Sequence, residues 1–337
     1  MSQYQPGSDG LLKPLAPWIT DPDVSEILLN QPQAIWIEKN GALTQHEVPA
    51  LSSAHLMRLF QLIANENRQR LSAAQPLLSG SLGDGSRIQL CLPPAAKHPT
   101  FAIRRQVKRG FSLADYQQQQ FYQAAKVADK HDATVDSLPE CEKQLIALYK
   151  KQEWDSFIRH AISQKKTIII SGGTSSGKTT YLNACLQAID PATRLILLED
   201  TRELTVSHKN CVSLLASKGD QGEAKVSMQD LLQCSLRLRP DRIIMGEIRG
   251  REILDFVGAC STGHDGSMTS IHANNPRMAF MRMTQMYKLN HVPSMSDQDI
   301  LRELDAVIDI IVQVEKTPKG RQVQSIYYRY GPLAMQE

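Results

Sequence analysis

The sequence predicts an α/β protein: an N-terminal α+β domain followed by a phosphate-loop domain on a mostly parallel sheet. Three observations predict it. Gly172-Gly173-Thr174-Ser175-Ser176-Gly177-Lys178-Thr179 is a complete G-x-x-x-x-G-K-[ST] loop. Beyond it, continuous apolar runs alternate with helical patterns, as in a parallel sheet covered on both faces. Before it, Lys39-Asn40-Gly41 parts two strand-like runs, a hairpin signal because both central positions accept positive φ. A chain of 337 residues has room for two cores. The expected division is 1–125 for the first domain, 126–150 for a linker with a helical segment, and 151–337 for the second.

In chain order, Ala34–Glu38 and Ala42–His46 form the hairpin. Leu56, Leu59, Phe60, Ile63 and Ala64 recur at helical spacing behind a Ser52 or Ser53 cap. Arg87–Leu92 is a strand stopped by Pro93-Pro94, and Phe101–Val107 is another. Alternation puts Phe101, Ile103, Arg105 and Val107 on one face and Arg104, Gln106 and Lys108 on the other. The glutamine run 117–120 belongs to a helix starting near Ser112, and Lys126–Asp136 reads as linker. Ser137-Leu138-Pro139-Glu140 has capping-box spacing. Helices through Leu145 and Trp154–Ile162 lead into the strand Lys166–Ser171, the phosphate loop and a further helix. Strands follow at 194–199, 242–245 and 267–271, with helices near 227–237, 250–260, 276–288 and 297–305. A hairpin turning at Thr317–Gly320 closes the chain.

Composition narrows the function. Charged residues are 22% and the net charge is +3, which does not suit a protein that coats nucleic acid. Six scattered cysteines without a C-x-x-C pair indicate neither a zinc ribbon nor a disulfide framework; reduced thiols of a cytosolic protein are expected. The polar start lacks an apolar signal core, and no run approaches the ~18 apolar residues of a membrane span. Any membrane role is therefore expected to be peripheral.

A strand feeding a glycine-rich turn and a helix aims several backbone N–H groups and the positive helix end at one point. Gly172 to Thr180 would cradle phosphates, Lys178 would hold the β- and γ-phosphates of ATP, and the Thr179 hydroxyl would ligate Mg²⁺. Asp241–Glu247 ends an apolar strand in Gly-Glu. Glycine cannot touch a metal, so Glu247 is the candidate that orients the attacking water. Glu199-Asp200-Thr201-Arg202-Glu203 lies at the same strand-end rim, with Glu203 a second candidate for water or metal. His272 at a strand tip is a candidate γ-phosphate sensor. Arg104, and less strongly Arg105, could supply a guanidinium to the phosphates.

Four segments occur in order: Gly-Gly-Thr-Ser-Ser-Gly-Lys-Thr-Thr, Leu-Leu-Glu-Asp-Thr-Arg-Glu-Leu, Leu-Arg-Pro-Asp-Arg-Ile-Ile-Met-Gly-Glu-Ile-Arg-Gly, and Ser-Thr-Gly-His-Asp-Gly-Ser-Met-Thr-Ser-Ile-His-Ala-Asn. They resemble the Walker A, Asp, Walker B and His boxes of the secretion traffic ATPases. The resemblance spans Thr167 to about Asn275. It implies a RecA-like hexameric motor with nucleotide at the joint between its two domains. By it, Lys178 and Thr179 match the Walker box, Glu203 the acidic box, Glu247 the Walker B glutamate, His272 the His box and Arg104 the N-terminal arginine. The chain lacks the tetracysteine module usual in type II secretion and pilus-extension members. Val24–Asn30, Arg87–Pro94 and Ala102–Arg105 look like the type IV secretion branch of conjugation and effector delivery. That branch implies partner subunits at the inner membrane and a cytoplasmic, membrane-peripheral location. Ser175 departs from the glycine many members carry, and is expected to need a negative φ. The length of the interdomain segment suggests that the N-terminal domain could dock on a neighbouring subunit.

A nucleic-acid motor of the same fold is the alternative. It would expose basic or aromatic contacts to a strand, whereas aromatic residues are 6% here without a stacking cluster. No stable nucleic-acid complex is expected. A nucleotide-gated scaffold with slow hydrolysis is a third reading.

Overall fold

The computed structural model describes residues 8–105, 138–217, 224–292, 295–318 and 320–334. The expected helix near Ser112, the linker stretch 126–136, the first-domain boundary at 125 and the Ser137 cap lie outside these residues.

The N-terminal lobe opens with the short helices α1 (Asp9–Leu12) and α2 (Ala16–Ile19). Six antiparallel strands follow: β1 (Val24–Gln31), β2 (Ala34–Lys39), β3 (Ala42–Glu47), β4 (Leu77–Ser81), β5 (Arg87–Cys91) and β6 (Thr100–Arg104). Their order is β3-β2-β1-β6-β5-β4. Asn40 (φ 51°) and Gly41 (φ 77°) turn the β2–β3 hairpin as their residue types require. Helix α3 (Ser53–Glu66) starts where the Ser52 hydroxyl accepts the His55 N–H. Its Leu56, Leu59, Phe60 and Ile63 pack against Ile27, Leu29, Ile35, Leu90, Phe101 and Ile103, one face of the sheet. Short β4 and the two opening helices carry weak periodicity and escape a sequence reading.

The C-terminal lobe holds seven strands in the order β13-β12-β7-β11-β10-β8-β9. These are β7 (Ile168–Gly172), β8 (Leu195–Glu199), β9 (Cys211–Leu215), β10 (Arg242–Met245), β11 (Met268–Ile271), β12 (Ile310–Thr317) and β13 (Gly320–Tyr328). All neighbours run parallel except the β12–β13 hairpin. Helices α4 (Glu140–Lys150), α5 (Trp154–Ser163) and α6 (Lys178–Gln187) cover one face. Helices α7 (Met228–Ser235), α8 (Glu252–Ser261), α9 (Pro276–Lys288) and α10 (Asp297–Val307) cover the other. A last helix, α11 (Gly331–Ala334), sits by α4. The helical part of the expected linker, α4, is built into this lobe: Leu145 and Ile146 lie in its core, and Glu142 accepts from the Tyr328 hydroxyl at 2.6 Å.

The second face of the N-terminal sheet rests on the C-terminal lobe of the same chain. Leu28, Cys91, Ala95, Ala96 and Ala102 share one apolar cluster with Ile196, Val212, Leu214, Leu231 and Leu232. Polar ties flank the cluster. Arg239 grips Glu38 through two hydrogen bonds of 2.8 and 2.9 Å. Arg194 is fully buried; its guanidinium donates to the Leu238 carbonyl and to the side-chain oxygens of Asn30 and Asn210. Burial pulls Arg194 down to about 10.

Glu26, 8% exposed, closes one end of this interface. Burial raises its carboxyl to about 7, against the opposing pull of Arg104, whose Nε lies 3.8 Å away. A carboxyl held above its ordinary 4.5 favours the proton-bound folded state. That stabilisation is complete below about 4.5 and is lost as pH rises through about 7. Glu26→Gln is expected to remove this pH dependence and to stabilise the fold at pH 8 by on the order of 1–3 kcal/mol. Urea unfolding of both proteins at acidic and alkaline pH checks it.

Candidate nucleotide site

The carboxyl ends of β7, β8, β10 and β11 meet at one rim of the parallel sheet, where such folds bind ligands. The phosphate loop leaves β7 there. Gly172 comes so close to its surroundings that an added Cβ would collide with the Val314 carbonyl oxygen and stand 2.5 Å from Ser176 Oγ. Gly172→Ala is therefore expected to destabilise the loop by about 1–3 kcal/mol, read as a lower melting temperature and a smaller shift on adding ATP. Gly177 turns the chain with φ 96° into α6, whose first turn has no side-chain cap. The first-turn N–H groups are thus not taken up by a capping side chain. Ser176 Oγ is buried without a hydrogen-bond partner, a polar group placed for a ligand. Ser175 corrects the sequence expectation: its φ is +58°, not negative. The left-handed conformation costs a non-glycine residue on the order of 1–2 kcal/mol. Arg321 Nε donates to the Ser175 carbonyl at 3.2 Å and helps hold it.

Lys178, 7% exposed, donates to the carbonyls of Gly172 (3.1 Å) and Gly173 (2.8 Å) and to His272 Nδ1 (3.3 Å). His272 Nε2 lies 3.2 Å from Glu247 Oε1. Arg249 donates to Glu247 Oε2 at 2.8 Å and also pairs with Asp200. One continuous chain thus joins the phosphate loop, the tips of β11 and β10 and the segment after β8. Burial holds the His272 ring below its ordinary value, against the pull of Glu247, which favours the neutral ring. With the ammonium donating to Nδ1, the tautomer that fits carries its proton on Nε2 and donates it to Glu247. Burial also lowers Lys178, with Glu247 opposing. Behind the tips, Ser270 Oγ donates to the Gly246 carbonyl (2.6 Å) and Gln313 Nε2 to the Ala273 carbonyl (3.2 Å), which fixes both.

Glu203 is exposed, and its carboxylate joins none of these contacts. Its backbone is what the structure anchors. Glu199, 2% exposed, accepts the N–H groups of Glu203 and Leu204, both at 2.6 Å. Asn183 of α6 donates to the Glu203 carbonyl and accepts from Thr205 N–H, each at 2.9 Å. Thr179 is half-buried in the first turn of α6, and Thr180 is exposed. Arg104 and Arg105 are not brought to this rim. Arg104 is 73% exposed along its side chain and lines a groove with Arg237, Asp241 and His264, at the amino-end rim of the parallel strands. The Arg105 guanidinium is turned inward, onto the backbone carbonyls of Trp18, Asp21 and Val24. Arg249, Asn183 and Arg321 escape the sequence reading, as does the clamping role of Glu199. The first follows Glu247 by two residues and could have been suspected; Arg321 reaches the loop from 146 residues away, which no local pattern signals.

A phosphate loop at the head of α6, with a lysine, a histidine and a strand-end glutamate converging on it, defines a P-loop nucleotide hydrolase. The family model described as Type II/IV secretion system protein matches residues 140–325. The type IV secretion system protein VirB11 of Brucella suis is 34% identical over 94% of this chain and 89% of its own length. The type IV secretion system protein PtlH of Bordetella pertussis is 34% identical over 97% of this chain and 96% of its own. The crystal structure of the VirB11 ATPase of Brucella suis, solved with sulphate, superposes with a TM-score of 0.89 at 32% identity, covering 98% and 99% of the two chains. The chain belongs to the type II/IV secretion family, as a traffic ATPase of type IV secretion. It is an ATP-hydrolysing enzyme. Among the described residues, no helix is long and apolar enough to cross a membrane.

Proposed function

We propose that this ATPase works as a homohexameric ring that powers assembly of, and substrate transfer through, a type IV secretion machine for conjugation or effector delivery. In this reading it is cytoplasmic, attached peripherally to the inner membrane by other subunits of the machine, and forms no stable nucleic-acid complex. The observation that carries the reading is the unbroken link from Lys178 through His272 to Glu247. It ties the group that would hold the γ-phosphate to the group that would align water.

In the proposed reaction, the N–H groups of Gly173 to Thr180 and the Lys178 ammonium bind the phosphates of ATP. Lys178 exchanges its bonds to the loop carbonyls for phosphate oxygens. Glu247, fixed by Arg249 and by His272 Nε2–H, orients the attacking water. His272 reports loss of the γ-phosphate because it touches both partners. Mg²⁺ would neutralise charge on the phosphates. Thr179 is the residue that would hold it, and the buried, unpartnered Ser176 hydroxyl of the preceding loop fits a turn built around phosphate oxygens. Glu203 would act from the anchored segment at the same rim. Arg104, on the far rim of its own chain, would serve a neighbour's nucleotide across a subunit boundary; Arg105 would keep Arg104 in place by fixing the end of β6. In this reading the N-terminal domain ends at 125 and the segment 126–150 links it to the ATPase domain, with its helical part, α4, packed on the C-terminal lobe.

Negative-stain imaging with ATP and Mg²⁺, run beside a turnover assay, tests the ring. Six-fold particles and turnover that rises with assembly are expected. Monomers under every nucleotide condition overturn it.

A further inference from the structure

Strand β9 forms the open edge of the seven-stranded sheet. In a parallel strand both backbone groups of a residue point to one side, and the side alternates along the chain. Leu195 N donates to Asn210 O, and Ala216 N donates to Glu199 O. Asn210, Val212, Leu214 and Ala216 therefore face β8, while Cys211, Ser213 and Leu215 face outward. Leu215 is satisfied by the Ala95 carbonyl of the N-terminal lobe at 2.7 Å, and Ala96 bridges antiparallel to Leu214. Beyond that point the chain leaves the edge. Among the described residues no backbone group pairs with the outward N–H and C=O of Cys211 and Ser213, and both residues line a cleft of about 880 Å³ between the lobes.

The far wall of this cleft is the N-terminal sheet, with Trp36 and Gln45 side by side on one face. Lys97, His98, Arg202 and Lys209 line it as cations or potential cations. Of the carboxylates, Glu199 is turned to its own backbone partners, which leaves Glu47. Burial and the neighbouring Lys97 and Arg202 hold His98 below its ordinary value, a mark of crowded positive charge. An open edge supplies main-chain pairing without sequence preference, and the charge above it supplies selection.

We propose that this cleft docks an acidic, extended segment of a partner protein, which adds to β9 as an antiparallel strand in line with Ala95 and Ala96. Its backbone pairs with Cys211 and Ser213, and its carboxylates meet Lys97, Arg202 and Lys209. The cleft borders the nucleotide rim, sharing Glu199 and Leu204 with the segment that carries Glu203, and the proposal does not depend on the ring reading.

The probe is a fluorescein-labelled hexapeptide of alternating glutamate and valine, against its lysine-valine counterpart, titrated into the full chain and followed by anisotropy. The acidic peptide is expected to bind at least tenfold more tightly, and to slow hydrogen exchange at the Cys211 and Ser213 amides at least tenfold. Ser213→Pro removes an N–H that faces the cleft, together with the hydroxyl that accepts from Arg202, and leaves the β8 ladder its bonds; it is expected to weaken binding at least tenfold. The double variant Lys97→Glu, Arg202→Glu lies outside both ladders and decides the matter if the proline unsettles the fold; the same loss is expected. Equal binding of the two peptides, no binding of either, unchanged exchange at the two amides, or displacement of the peptide by oligothymidylate alone overturns the proposal.

Discussion

Glu247→Gln is expected to lower ATP turnover by about 10²–10⁴-fold, the usual worth of a positioned base, with little loss of ATP affinity. The amide keeps the size of the side chain and one oxygen for Arg249 NH2 or His272 Nε2. It cannot polarise water as a carboxylate does. The lysine, the loop N–H groups and the uncapped end of α6 are untouched, so binding survives. Isothermal titration beside a phosphate-release assay separates the two effects. Turnover equal to wild type would remove Glu247 from its role, and lost affinity with normal turnover at saturation would place it in binding instead.

Lys178→Ala should act the other way, on affinity first. The ammonium is buried against two carbonyls and His272 Nδ1. Its removal leaves phosphate oxygens without their buried cation, a truncation that costs about 2–5 kcal/mol where a charge pair is desolvated. ATP binding is expected to weaken on the order of 10²-fold or more, and turnover to fall below detection. His272 loses the donor to Nδ1 as well, so its ring NMR signals should shift in the same variant even without nucleotide. Arginine is not a conservative rescue, because a planar fork does not fit the space a single amine occupies between Gly172 and Gly173.

The C-terminal lobe was largely legible because its strands are buried on both faces and therefore read as unbroken apolar runs, as in Ile168–Ile170 and Ile243–Met245. The hairpin at Asn40-Gly41 and the helix at Ser53–Glu66 were legible for local reasons: turn chemistry and period. Strand β9 was missed because an edge strand needs only half of its side chains buried, and its alternation over five residues is short. In the candidate site, the residues that contiguous spacing singles out, the loop, Glu247 and His272, are brought together by the fold. Those that act through tertiary contact were not. Glu199 shows the limit most clearly. Three carboxylates in five residues look alike in sequence, yet only folding turns Glu199 inward to clamp the backbone while Glu203 stays exposed. Arg104 and Arg105 show it too, since alternation put them on opposite faces but could not say that Arg104 meets the amino-end rim of the other lobe while Arg105 turns onto carbonyls of its own lobe.

The last hairpin has a bearing on how this chain can be handled. Arg321, early in β13, leans on the turn at Ser175 and fills the space beside Gly177 where a methyl would stand 2.7 Å from its Cδ. This hairpin is thus a wall of the candidate phosphate-binding turn. A shortened protein ending ahead of Gly320 would leave that turn without its brace and β12 without its neighbour. Trimming a tail is commonly harmless in a sheet enzyme; in this one it would reach into the chemistry.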